Sequence, residues 1–254
     1  MPASLKLQQE YGDDLAVIFV ESQGATPDQA VAFTLRQRWY GTQAMWTSER
    51  PLDPEGSGLP ACALISNDGK LLLSGNPLAM KKKIEDAIDE QVRLRKSAPE
   101  GTPAAVKKVW TDYAKGNLAA ALAQARKLAT GEGEDAEAAK AAEAELIARA
   151  HAHLARIERM IESGFPLEAD AEIAGFLKGA KGEDDLCAKA SELKQKIGEP
   201  ELEAAKALAQ IEKKLADKGP EDPTVKALDR LAEKHAGTKA GQRAAKLSEL
   251  AKLE

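Results

Sequence analysis

Two cysteines, Cys62 and Cys187, are the side chains best suited to nucleophilic or redox chemistry. They lie 125 positions apart and no Cys-x-x-Cys pair occurs, so their spacing suits neither a metal site nor a redox pair. Disulfide exchange needs an attacking thiolate and a resolving thiol. We therefore interpret both as small buried residues. Cys62 keeps a second interpretation, because strand alternation puts it on the same face as Pro60, where a thiol could become reactive.

The histidines and the charged runs offer little further chemistry. On a predicted helix, His151 and His153 point about 200° apart, whereas zinc needs three or four convergent ligands. The lysine triplet at residues 81–83 lies on a predicted amphipathic helix, which favours a solvated face over a phosphate site. The sequence predicts no metal and no cofactor.

The composition limits the classes of partner. Among 254 residues, 43% are apolar and 30% charged, which is typical of a soluble globular protein. No run approaches the roughly 18 apolar residues that a membrane span requires. The net charge of -5 comes with interleaved lysine and glutamate, so no basic field for nucleic acid is expected. As written, the chain begins without a signal sequence, and a cytoplasmic location is the expectation.

A change in composition at residues 97–103 (SAPEGTP) predicts a domain boundary. Before it the chain contains aromatics, prolines, glycines and β-branched runs. After it alanine, lysine, glutamate and leucine dominate. We predict an α/β domain over residues 1–98 and an all-α domain over residues 103–254.

The first domain opens with a strand and a helix. Residues 15–20 (LAVIFV) form a continuous apolar run, which predicts a buried parallel strand. Thr26 is suited to cap a helix and Pro27 to begin it, and the apolar pattern carries that helix towards Trp39. Residues 43–47 (QAMWT) are interpreted as a short edge strand.

A hairpin and a helix close this domain. Residues 58–75 (GLPACALISNDGKLLLSG) predict two apolar strands joined by a tight Asn-Asp-Gly turn. Pro77 is then expected to open an amphipathic helix with Ile84 and Val92 on its buried face. The predicted order of elements in this domain is thus helix, strand, helix, strand, hairpin, helix.

From about residue 5 to residue 92 this order resembles the thioredoxin family, particularly its extracytoplasmic thiol-disulfide reductases. The stretch LQQEYGDDLAVIFVES (residues 7–22) is similar to the end of the family's cysteine-bearing helix and the strand after it. The resemblance implies that Pro60 stands where the family has a cis-proline beside its active site. The family's first strand and its Trp-Cys-x-x-Cys have no counterpart here.

Three explanations of that gap remain open: a fragment or a mis-assigned start, a gap filled by another segment or chain, or a degenerate domain. We favour the first, because degeneration usually keeps a strand that supports the sheet. A truncated protein would be extracytoplasmic. Loss of a central strand would leave two sheet edges unpaired, and a second copy of the chain could pair there as a homodimer.

The resemblance also implies a peptide-binding groove around Pro60. Its candidate residues are Leu59, Pro60, Cys62, Trp39 and Trp46. The two tryptophans have a simpler interpretation, in which they only cover the sheet.

The second domain is predicted to consist of helical hairpins. Residues 106–128 (VKKVWTDYAKGNLAAALAQARKL) resemble a tetratricopeptide unit, in which large residues pack over alanines. A helix over residues 118–129 and a long helix over residues 134–162 are expected, followed by a turn at Gly164 and Pro166. Residues 188–193 (AKASEL) and 245–250 (AKLSEL) agree at five of six positions, which suggests a weak repeat.

Three functional hypotheses follow. The first is a redox-inactive thioredoxin-like protein that acts as a protein-interaction module and binds a protein or peptide. The second is a truncated thiol-disulfide oxidoreductase whose Cys-x-x-Cys lies upstream of Met1, which leaves open whether the full protein is an enzyme. The third is a structural scaffold built around the helices.

Overall fold

A computed structural model describes residues 2–21, 23–39, 44–46, 61–66 and 69–253. The described residues are mostly helical, with two small sheets. Contacts divide the chain into two compact units. The first unit comprises residues 1–34 and 39–96, and the second comprises residues 35–38 and 97–254.

The first unit contains short helices and four short strands. The helices are α1 (Pro2–Tyr11), α2 (Pro27–Arg36) and α3 (Lys81–Lys96), with a 3₁₀ turn at Gly12–Asp14. The strands are β1 (Phe19–Glu21), β2 (Ala44–Trp46), β3 (Cys62–Ile65) and β4 (Leu71–Gly75).

These strands form two separate two-stranded sheets. In the first sheet β1 pairs in parallel with β2, with Val20 opposite Met45. In the second, β3 and β4 form the antiparallel hairpin, with Cys62 opposite Gly75 and an irregularity after Leu64. In the described part of the chain, β1 and β3 therefore have one strand partner each. The predicted Asn-Asp-Gly turn falls partly outside the described residues.

The predicted capping of α2 is confirmed. The Thr26 hydroxyl accepts a hydrogen bond from the backbone of Gln29, and the Gln29 side chain accepts one from the backbone of Thr26. This reciprocal pair satisfies two donors at the start of the helix. Pro27 occupies the first helical position, as expected.

Two local predictions were wrong. Of residues 15–20, only Phe19 and Val20 lie in a strand, β1, and Ile18 and Val20 are exposed rather than buried. Helix α3 begins at Lys81 instead of Pro77, because the Asn76 side chain accepts a hydrogen bond from the Leu78 backbone and stabilises a turn first.

The second unit is helical from residue 104 to residue 251. Its helices are α4 (Ala104–Ala114), α5 (Leu118–Ala129), α6 (Glu134–Glu162), α7 (Pro166–Gly179), α8 (Asp184–Ile197), α9 (Glu199–Lys218), α10 (Asp222–Lys234) and α11 (Lys239–Ala251). The predicted bounds of α5 and α6 are confirmed. Glycines with positive φ, such as Gly116 and Gly164, form the tight turns between these helices.

Helix α6 contacts four neighbours along its 29 residues. The α4–α5 hairpin packs on one part of it and the α7–α8 hairpin on another, around one apolar cluster. Fully buried members include Val109 of α4, Leu122 of α5, Leu146 and Ile157 of α6, and Ile173 of α7.

A pair of glycines in α7 tests this packing. A Cβ added at Gly179 would lie 2.3 Å from the carbonyl oxygen of Gly116, whereas one added at Gly175 would meet nothing within 4 Å. We expect Gly179→Ala to lower the free energy of unfolding by about 1–3 kcal/mol through overpacking. We expect Gly175→Ala to raise it by about 0.5–1 kcal/mol, because exposed helical glycine is entropically costly.

Urea unfolding followed by far-UV circular dichroism measures both changes. Equal stability of the two variants would contradict the close approach of α7 to the α4–α5 turn.

Candidate interaction surface

The structure places only some of the predicted groove residues. Leu59 and Pro60 lie outside the described residues. Trp46 is the last residue of β2, in register with Glu21 of β1. Cys62 begins β3, which belongs to the other sheet. Because two of the five positions fall outside the described residues, the groove stays a prediction.

Trp39 packs against its own helix. Its ring meets that of Phe33 edge to face, with centroids 5.5 Å apart, and its backbone N–H donates to the Thr34 carbonyl at 2.8 Å. Arg38 has a φ of 56°, and this left-handed residue turns the chain back towards α2. Trp39 therefore covers α2, whereas the simpler interpretation of the tryptophans placed them over the sheet.

Cys62 is poorly suited to nucleophilic attack. The residue is half-buried, and burial raises the pKa of its thiol. A raised pKa leaves less of the thiolate that attacks a disulfide or an electrophile. Its environment is therefore the opposite of the electropositive surroundings that activate a redox cysteine.

The strands of the first unit expose large apolar side chains, which the sequence prediction missed. Ile18, just before β1, and Val20 of β1 are 55% and 40% exposed. Ile65 of β3 and Leu71 of β4 lie opposite each other in the ladder and are 48% and 53% exposed. We call these two exposed pairs, one at each sheet, the strand patch. Exposed large apolar side chains are a feature of binding sites for other molecules.

The described part of the first unit buries few apolar side chains. In its described part, Ala32 and Ile88 are the apolar side chains classed as buried. The helix α3 face that was predicted to be buried is mostly half-exposed, apart from Ile88. The strand patch is thus a surface that would gain from a partner, because burial of apolar area drives association.

Titratable side chains of the second unit connect helices to one another. His153 Nε2 lies 2.6 Å from a carboxylate oxygen of Glu172, and Arg156 binds the other oxygen. Arg126 joins Glu143 of α6 to Glu183 at the start of α8, at 2.8 Å each. His151 is exposed. Among the described residues, no group of three or more His, Cys, Asp or Glu could hold a metal ion.

Comparison with known proteins identifies no relative from which a function could be inferred. No protein-family model, no curated protein and no solved structure matches this chain. None of the described helices is both long enough and apolar enough to cross a membrane.

The reactivity of Cys62 can be measured in a Cys187→Ala variant, in which it is the single thiol. We expect alkylation by iodoacetamide at neutral pH to be slower than that of free glutathione, because the raised pKa and partial burial reduce accessible thiolate. Unfolding in urea should bring the rate up to the glutathione value. Faster reaction in the native state than in urea would revive a catalytic interpretation of Cys62.

Tyr11 provides a pH-dependent test of how α1 is held to α3. Its hydroxyl donates to Asp89 at 2.7 Å, and this bond, together with burial, raises the pKa of Tyr11 to about 12. The stability that this hydrogen bond contributes is therefore fully present below the ordinary tyrosine pKa of about 10. It is lost as the pH rises through about 12.

We expect Asp89→Asn to bring the pKa of Tyr11 back towards its ordinary value. NMR titration of ring-labelled tyrosine, with Tyr11→Phe to assign the signal, measures it. An unchanged titration in Asp89→Asn would contradict the bond.

Proposed function

We propose that this chain is a redox-inactive protein-interaction module in which a thioredoxin-like domain precedes a tetratricopeptide-like helical domain. The strand patch is the observation that carries the proposal. The order of elements in the first unit, strand, helix, strand, hairpin and helix, supports the thioredoxin-like interpretation. The hairpins packed on α6 support the tetratricopeptide-like one.

The form of the strand patch indicates the chemistry of its partner. The Ile65 and Leu71 side chains are a cross-strand pair on the β3–β4 hairpin, and such pairs are usually covered. Ile18, just before β1, and Val20 within it expose a second pair of apolar side chains. A partner that fits these two pairs is an extended protein segment with apolar side chains at alternate positions.

The non-catalytic part of the proposal is supported by thiol chemistry. The chain has two cysteines far apart in sequence, and burial raises the pKa of Cys62. Thiol-disulfide exchange requires a low-pKa thiolate near a second thiol. A mixed disulfide formed by Cys62 would need a second thiol to resolve it.

The truncated oxidoreductase remains the second candidate, and one observation favours it. In the described part of the chain, β1 and β3 lie in different sheets, each with one strand partner. The first strand of the thioredoxin family would occupy a place between them. A segment carrying that strand and Trp-Cys-x-x-Cys would complete the sheet and supply the missing thiols.

Binding to a permanently unfolded, carboxymethylated protein tests the interaction proposal. We expect the double variant Ile65→Thr, Leu71→Thr to weaken binding at least several-fold, because about 1.4 kcal/mol of lost apolar burial is tenfold in affinity. Leu253→Thr, equally exposed in the second unit, is the matched control and should not change affinity. Trp46→Ala tests the groove prediction in the same assay.

Fluorescence anisotropy gives the dissociation constants. Loss of affinity in Trp46→Ala alone would move the binding site from the strand patch to the groove, and unchanged affinity in both variants would refute the proposal. An insulin-reduction assay with dithiothreitol addresses the second candidate. Activity of this chain above the uncatalysed rate would overturn its redox-inactive assignment.

A further inference from the structure

Helices α9, α10 and α11 pack on one another, each in contact with the other two, and α9 also contacts α7. Their buried residues include Leu208, Ile211 and Leu215 of α9, Leu228 of α10, and Ala244 and Leu247 of α11. The apolar cluster of α4–α8 ends at Ile197, and from the described residues of α9–α11 only Leu202 packs at its margin. The helical unit therefore contains two cores.

A single residue joins the two sets of helices. Helix α8 ends at Ile197 and α9 begins at Glu199, so Gly198, with a φ of 74°, makes the whole connection. An open groove of about 580 Å³ lies beside it, lined by Ser191, Lys194, Gln195, Gly198, Glu199 and Leu202. A glycine next to unfilled space is suited to act as a hinge, because neither side chain nor packing restricts its backbone.

Lys239, the first residue of α11, bridges the two cores. Its ammonium donates to the backbone carbonyls of Ile161 and Glu162 in the last turn of α6. A cation at this position complements the negative end of the helix dipole. The backbone N–H groups of Lys239 and Ala240 donate to the carboxylate of Glu201, both at 2.9 Å, which caps α11.

Arg243, one turn further along α11, makes a second bridge. Its guanidinium lies 5.4 Å from the ring centroid of Phe165, in the α6–α7 turn, and 2.9 Å from Glu212 of α9. Phe165 is itself substantially exposed. Both side-chain bridges from α11 to the first core are therefore charged and solvent-accessible.

We propose that α9–α11 is a rigid module, hinged at Gly198 and held closed on α4–α8 by the charged bridges of Lys239 and Arg243. Each set of helices keeps its own core when the bridges break, so the module opens as one body. Because exposed charge contacts are screened by salt, ionic strength shifts the module towards the open state. Opening widens the groove beside Gly198 and uncovers Leu202.

Pulsed electron paramagnetic resonance measures the opening in the full chain. Spin labels are attached at Lys189→Cys in α8 and Lys226→Cys in α10, both exposed, after the two native cysteines are replaced by alanine. We expect Lys239→Met to raise the population of longer distances by about two- to five-fold, the effect typical of a cation at a helix C-terminus. This substitution keeps the backbone bonds to Glu201.

The matched control is Lys234→Met, which breaks the 3.0 Å ion pair with Glu203 inside the module and should leave the distances unchanged. The second measurement is a salt series on the labelled protein with Lys239 intact, from about 0.1 M to about 1 M, over which the screening length falls from roughly 10 Å to 3 Å. We expect longer distances to become more populated with salt. One narrow distance distribution at every salt concentration would overturn the proposal, even if Lys239→Met failed to fold.

Discussion

Close packing of small residues against α6 is the constraint on which the helical unit depends. Ala139 and Ala142 of α6 and Ala121 and Ala125 of α5 are buried in one apolar cluster, and the two helices pack against each other. Alanine loses no side-chain entropy on burial and lets two helix backbones approach closely. At 29 residues, α6 is about 43 Å long, so one continuous helix sets the position of both hairpins. Any bulky residue in this interface would displace a whole hairpin.

The described part of the first unit shows no comparable close packing. Its exposed apolar side chains are a consequence of this. Two-stranded ribbons are marginal in water unless a third strand or a helix covers them. Helix α3 buries Ile88, but the strand patch stays exposed. In the described part of this unit, few apolar side chains are buried and several large ones are exposed. Both features have one physical cause, since short two-stranded sheets offer little surface on which to pack.

The sequence predicted the helices better than the strands, and the reason is physical. The ends of α5 and α6 are set by adjacent glycines and by helical periodicity, which are local signals. The burial of β1 depends on which strands lie beside it, and an apolar run alone cannot supply that information. Of the candidate groove, Trp39 was placed on α2 and Cys62 on β3, while Leu59 and Pro60 fall outside the described residues. The bridge from Lys239 to α6 joins residues nearly 80 positions apart, so no local pattern could indicate it.

The difference between an apolar core and a charged bridge decides which parts of the helical unit can move. Breaking the α6-centred core would expose many fully buried side chains, at a cost of several kcal/mol. Charged contacts at a solvent-accessible joint contribute about 1 kcal/mol each or less. A ligand that preferred one arrangement of α9–α11 by only about 1.4 kcal/mol would thus change the ratio of the two arrangements tenfold. The α4–α8 helices, by contrast, would keep one geometry in the presence of such a ligand. They form the fixed part of the helical unit, relative to which α9–α11 moves.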